Sequence, residues 1–191
     1  MAVFIVGLIL FLGIHSVSII APRWRDAQVA KLGEWPWKGV YSVVSVVGFV
    51  VLVYGYGMAR QSSVVLYTPP TAMRHIALLL MIPVFPLLLA AYLPGRIKSA
   101  AKHPFLLAIK LWALAHLLAN GSLVDVLLFG SFLAWAVFDR ISVKRRVVQH
   151  NTPGAPPSKM NDVIAVVGGL VIYALFVVWA HQKLIGVSPL A

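Results

Sequence analysis

The feature that most constrains this chain is a series of six apolar runs almost free of charge: Ala2–Ala21, Val40–Met58, Met73–Leu93, Pro104–Ala119, Leu123–Phe138 and Val163–Ala180. An α-helix rises 1.5 Å per residue, so about 18–20 apolar residues cross a hydrocarbon core roughly 30 Å thick. The fourth and fifth runs are short of that length; the others reach it. Composition agrees, since 61% of the 191 residues are hydrophobic and 11% charged, against about 45–50% and 25% in ordinary soluble domains. The expected fold is all-α: a polytopic membrane bundle of about six transmembrane helices, a single domain over residues 1–191, with the lipid bilayer as its surroundings.

The connections say how the runs are arranged. Asn120-Gly121-Ser122 joins the fourth and fifth; glycine stops one helix, and Ser122 with Asp125 caps the next, which predicts a tight helical hairpin. Pro69-Pro70, Pro94-Gly95 and the tract from Thr152 to Pro157 break the other helices. The first run lacks a basic leader and a small-x-small cleavage site, and it reads as a retained span. Arg23, Arg25, Lys31, Lys38, Arg96, Lys98, Lys102, Arg140, Lys144, Arg145, Arg146 and Lys159 all fall in the first, third and fifth connections, whereas the opposite side carries Arg60, Arg74 and Lys183. Basic loops stay in the cytoplasm, so both termini are expected outside a cytoplasmic membrane. The positive charge is thereby accounted for as orientation and contact with anionic lipid, and nucleic acid is not an expected partner. Absence of cysteine excludes disulfides, thiolate chemistry and cysteine-held metal clusters.

Ionisable groups at membrane depth are costly, and each is therefore a candidate functional residue. His15 lies about 20 Å and His116 about 12 Å from the outer face at 1.5 Å per residue. Phe11 and Ser18 share the helical face of His15, with Ser18 placed to receive its imidazole should it leave a metal. Trp112 stands one turn before His116, and Ala108 and Ala119 extend that face as a surface for something flat. A single buried histidine is ordinarily a hydrogen-bonding core residue. Two, with no carboxylate in either span, suit a bis-imidazole haem b, which needs neutral nitrogen ligands and an apolar shell; zinc would want further ligands that these spans do not supply. His75 and His181 fall at outer span ends, and His75 is the reserve ligand for His116. His103 belongs to the helix entry Lys102-His103-Pro104, His150 to the last basic loop, and Asp125 is expected to act as a cap.

The stretch Gly13-Ile14-His15-Ser16, followed by Pro22-Arg23-Trp24-Arg25, and the block Lys102-His103-Pro104 … Trp112-Ala113-Leu114-Ala115-His116-Leu117-Leu118-Ala119-Asn120-Gly121 resemble the NnrU family of bacterial membrane proteins over nearly the whole chain. That family includes haem-dependent 15-cis-zeta-carotene isomerases. The resemblance implies haem b held by His15 and His116, a bacterial inner-membrane location, and a link either to nitrite and nitric oxide metabolism in denitrification or to cis-trans isomerisation of a polyene. Two departures bear on the second alternative. Lys102 stands in place of the isomerases' arginine, and Ala113 in place of their cysteine, so thiolate ligand exchange is not available here.

Two other classes compete. One is a non-catalytic membrane accessory protein in which the histidines only bond between helices. The other is a membrane methyltransferase, which also opens its cofactor site with a basic residue before His-Pro, but which needs paired glutamates late in the chain. No glutamate follows Glu34.

Overall fold

The computed structural model describes residues 1–145 and 154–190. In chain order its helices are α1 (Ala2–Ile20), α2 (Pro22–Leu32), α3 (Glu34–Arg60), α4 (Thr71–Met81), α5 (Val84–Tyr92), α6 (Arg96–Ala101), α7 (Pro104–Ala119), α8 (Leu123–Arg145), α9 (Met160–Leu175) and α10 (His181–Ile185). A π-helical turn, Phe176–Ala180, joins the last two. Five stretches are long and apolar enough to cross a membrane, with Pro104–Ala119 a shorter sixth. The six expected runs are all present as helix, and the chain is an all-α polytopic membrane protein. Arg146, His150 and the Thr152-Pro153 start of the proline tract lie outside the described residues.

Several helices outrun their apolar cores. The second and fifth run to Arg60 and Arg145, because a helix does not end where the hydrocarbon does. The basic first connection is itself helical, with Pro22 in the first turn of α2, where its missing N–H costs nothing. Trp24 of α2 meets Trp37 of α3 edge-on at 5.8 Å, and Trp35 is 82% exposed. Indoles of this kind favour the headgroup level of a bilayer.

The chain divides into two compact units. The first comprises Met1–Tyr67 and Ser122–Arg145, that is α1, α2, α3 and α8. Its core is Phe4 and Leu8 of α1, Leu52 and Ala59 of α3, and Val124 of α8. Lipid is as apolar as leucine, so helices in a membrane adhere through close packing and small residues rather than by expelling water. Gly48 illustrates the point: a Cβ there would lie 2.8 Å from the backbone nitrogen of Phe11. At the start of α8 the chain bridges in antiparallel fashion to Val65, Leu123 N–H donates to the Val64 carbonyl at 2.8 Å, and Val124 N–H donates to Ser63 Oγ at 3.0 Å.

The second unit comprises Thr68–Gly121 and Arg146–Ala191, described here for 68–121 and 154–190. Val84 and Leu87 of α5 pack on Ala108 of α7. Its third apolar run is not one helix. Pro83 has no N–H to give Leu79, and Ile82 N–H bonds the Leu79 carbonyl at 3.3 Å, which leaves the Leu78 carbonyl for the Tyr173 hydroxyl at 2.9 Å. Asp162 accepts from the N–H groups of Arg96 at 2.8 Å and Ile97 at 3.1 Å, capping α6 from the start of α9. The buried Asn161 amide donates to the carbonyls of Pro94 and Pro156.

The fourth and fifth runs fall in different units. Helix α7 belongs to the second unit with α4 and α5, and α8 to the first with α1 and α3. Gly121-Ser122 does stop one helix and cap the next, but the cap is tied to 63–65 instead.

Candidate functional site

In the first unit His15 sits in the late part of α1, partly buried among rings. Its Nδ1 lies 2.6 Å from the Phe11 carbonyl one turn earlier. A carbonyl only accepts, so Nδ1 carries the proton and the lone pair of the neutral ring is on Nε2. The Phe11 ring is tilted against the imidazole at 4.4 Å, Tyr41 of α3 stands edge-on at 5.3 Å, and Trp135 of α8 edge-on at 6.1 Å. Phe11 in turn touches Phe49 at 5.9 Å and Phe132 at 5.8 Å. Ser18 lies one turn beyond His15 on α1 and is partly buried, while Ser16 bonds back to the Leu12 carbonyl at 2.7 Å. Trp135 Nε1 is buried and reaches no partner at hydrogen-bond geometry, whereas the buried Ser45 hydroxyl is in side-chain hydrogen-bond contact with Tyr41.

In the second unit His116 repeats the arrangement near the end of α7. Its Nδ1 is 2.8 Å from the Trp112 carbonyl, again one turn back, which places the ring's lone pair on Nε2. The Trp112 ring lies 5.3 Å away. The expected flat platform is not open, because Ala108 is 0% exposed and packed against α5. The histidine beside His116 is His181: the two rings are nearly parallel, 23° apart, with centres separated by 6.4 Å. Nδ1 of His181 lies 2.7 Å from the Val187 carbonyl, so it too has its lone pair on Nε2. A π-turn directly before it sets the register that delivers it, and such insertions recur at functional sites. His75 is exposed on α4.

Trp135 and Tyr41 were not singled out in the sequence, and His181 was read only as lying at an outer span end. An indole within an apolar run is the available signal for Trp135, since a buried Trp N–H ordinarily has a partner. Asp125 is more than a cap. It is 8% exposed, accepts from the Tyr56 hydroxyl at 2.6 Å and from the Ser122 hydroxyl at 2.6 Å, and its own N–H lies 3.4 Å from Ser122 Oγ. Lys102-His103-Pro104 is the expected helix entry, with Pro104 in the first turn of α7.

Among the described residues no three His, Asp or Glu side chains gather as a metal site. In His15 and in His116 a carbonyl one turn back fixes Nδ1. Ligating histidines are ordinarily held in this way, with the second nitrogen on a carbonyl or carboxylate. A closed zinc site takes four ligands, and no such group is found among the described residues. No curated protein and no solved structure matches the chain. The model of the family described as NnrU protein matches residues 3–189, nearly the whole length, and the chain belongs to the NnrU family.

Proposed function

We propose that this protein binds haem b within a bacterial cytoplasmic membrane, with both termini outside and with His15 and His116 as the axial ligands of the iron. The observation that carries the reading is the shared tautomer: in two separate helices a histidine gives Nδ1–H to the carbonyl four residues back, which puts the lone pair on Nε2, the nitrogen a metal would take. Phe11 and Trp112 supply those carbonyls and line the rings. When bound, haem would supply an iron open to one-electron redox change and to diatomic ligands such as nitric oxide. Through the family resemblance that chemistry connects to nitrite and nitric oxide metabolism, or to isomerisation of a hydrophobic polyene.

One observation favours a second ligation, His116 with His181. A metal held between two imidazole nitrogens at about 2 Å each puts the ring centres about 6 Å apart, and these stand 6.4 Å apart. The absorption spectrum of the purified protein, with and without dithionite, tests both readings. Sharp alpha and beta bands of a six-coordinate low-spin haem are expected. Loss of those bands in His15→Ala and His116→Ala, but not in His150→Ala, supports the first ligation; loss in His181→Ala with retention in His15→Ala supports the second. A colourless protein that takes up no added haem overturns both and leaves the accessory-protein reading.

A further inference from the structure

The chain has only five acidic side chains, and four of them are engaged with groups other than the His15 cluster. Asp26 pairs with Arg25 at 2.8 Å and Glu34 with Lys38 at 2.7 Å. Asp125 accepts from the Tyr56 and Ser122 hydroxyls, and Asp162, in the second unit, from two N–H groups of α6. The fifth is Asp139, near the end of α8, and two separate placements bring it to His15.

Along α8, Asp139 follows Trp135 by four residues, so the two share a helical face one turn apart. Trp135 stands edge-on to the His15 imidazole at 6.1 Å. From α3, Tyr41 meets the same imidazole at 5.3 Å, and the Asp139 carboxylate acts electrostatically on the Tyr41 hydroxyl, which is also in hydrogen-bond contact with Ser45. On either route a single aromatic residue links Asp139 to His15. Helix α1 brings no charged side chain of its own. The cations on the helices around the cluster are Arg23, Arg25 and Lys31 of α2, Lys38 of α3, and Arg140, Lys144 and Arg145 of α8. Arg25 and Lys38 are matched by Asp26 and Glu34, and Arg140 leaves the helix about 100° round from its neighbour Asp139. Arg23, Lys31, Lys144 and Arg145 are exposed, where water and salt weaken their field, whereas Asp139 is partly buried and is screened less.

We propose that Asp139 sets the charge at the His15 site, its carboxylate lowering the reduction potential of the metal that His15 holds. The inference rests on the haem reading for the identity of that metal. A nearby negative charge favours the more positive of two oxidation states, so Asp139 stabilises ferric over ferrous iron and a stronger reductant is needed to reach the ferrous state.

Potentiometric titration of the haem-loaded, full-length protein in detergent, followed at the alpha band, reads this without any assay of activity. Asp139→Asn removes the charge at nearly constant size. It should shift the equilibrium towards ferrous iron by about threefold to tenfold, the weight of one partly screened charge, which is a rise of about 30–60 mV for a one-electron couple. Asp139→Glu keeps the charge and should keep the wild-type potential. An unmoved potential in Asp139→Asn overturns the proposal with haem binding intact, and so does a glutamate variant that shifts as far as the asparagine one. Loss of the alpha band in Asp139→Asn also overturns it, because the side chain would then be holding the site together instead of tuning it. A wild-type protein that takes up no haem overturns the haem reading and this proposal together, and its lack of colour distinguishes that result from an unmoved potential.

Discussion

The two units of this protein hold their histidines by different means. In the first, long helices approach until backbone meets backbone, with Phe4 and Val124 fully buried and a glycine at 48 where Phe11 passes. In the second, the helices are short and interrupted, and side chains tie them at their ends: Asp162 on α6, Asn161 on two proline carbonyls, and Tyr173 on the Leu78 carbonyl at the Pro83 break. The contrast reflects what lipid permits. Without a hydrophobic drive between helices, adhesion comes from close van der Waals contact or from polar groups that have no other partner. Close contact fixes His15 through the whole length of α1. In the second unit a π-turn directly precedes His181, whose ring lies beside that of His116.

Gly48→Val breaks the first half of that comparison. The added Cβ meets backbone atoms of Phe11 and Leu10 at 2.8–3.1 Å, and backbone cannot rotate aside. Overpacking of this kind costs about 3 kcal/mol or more. Thermal unfolding in detergent should show it as a large fall in midpoint. A variant as stable as wild type would mean that α1 and α3 are not held by this contact.

Asp125→Ala comes next, and it tests whether the first unit also depends on a polar knot. The substitution strands the Tyr56 and Ser122 hydroxyls, which both donate to this carboxylate. Leaving a buried donor unmet costs about 1–3 kcal/mol, so a loss of about 2 kcal/mol is expected by the same measurement. Tyr56→Phe in the Asp125→Ala background should then cost almost nothing further. Additive losses would show that the two groups act independently.

What the sequence made legible follows the same division. Spans were readable because length and hydropathy are local properties, and the Ser122–Asp125 cap because its residues are three apart. Helix α2 was missed since its surface is polar and its partners, such as Trp37, are tertiary. Asp125 was read as a cap alone because Tyr56 lies 69 residues away. Of the candidate site, His15 and His116 stood out by depth and family motif. Trp135, Tyr41 and His181 did not, because each matters only through a ring brought to it by another helix.

For the second unit the corresponding test is Asp162→Ala. Two backbone N–H groups at the start of α6 lose a charged acceptor, an effect of about 1 kcal/mol for a helix cap. Asp162→Asn should recover part of it, because the amide oxygen still accepts. Hydrogen exchange at Arg96 and Ile97 reads the effect directly. Protection unchanged in Asp162→Ala would remove this tie from the account of the unit.

The smallest effect expected is a gain, from Lys102→Gly. Lys102 is the one non-glycine among the described residues with positive φ, at 59°. Its neighbours dictate that conformation: Lys102 N–H still ends α6 on the Lys98 carbonyl, while Pro104 holds His103 away from helical backbone, so the chain must reverse within a residue. His103 N–H closes the turn on the Ala101 carbonyl at 2.6 Å, a three-residue turn around Lys102 that is rare and strained for an L-residue. Glycine has no Cβ to clash there, although it loses more freedom on folding. The balance should favour Lys102→Gly by up to about 1 kcal/mol, a shift of a few degrees in the unfolding midpoint. Lys102→Val should move it the other way, because a branched side chain is poorly tolerated at positive φ. A fall in stability with glycine would mean that the lysine head group contributes more than its backbone costs, and this turn before His103-Pro104 would then rank among the polar ties of the unit instead of among its strained joints.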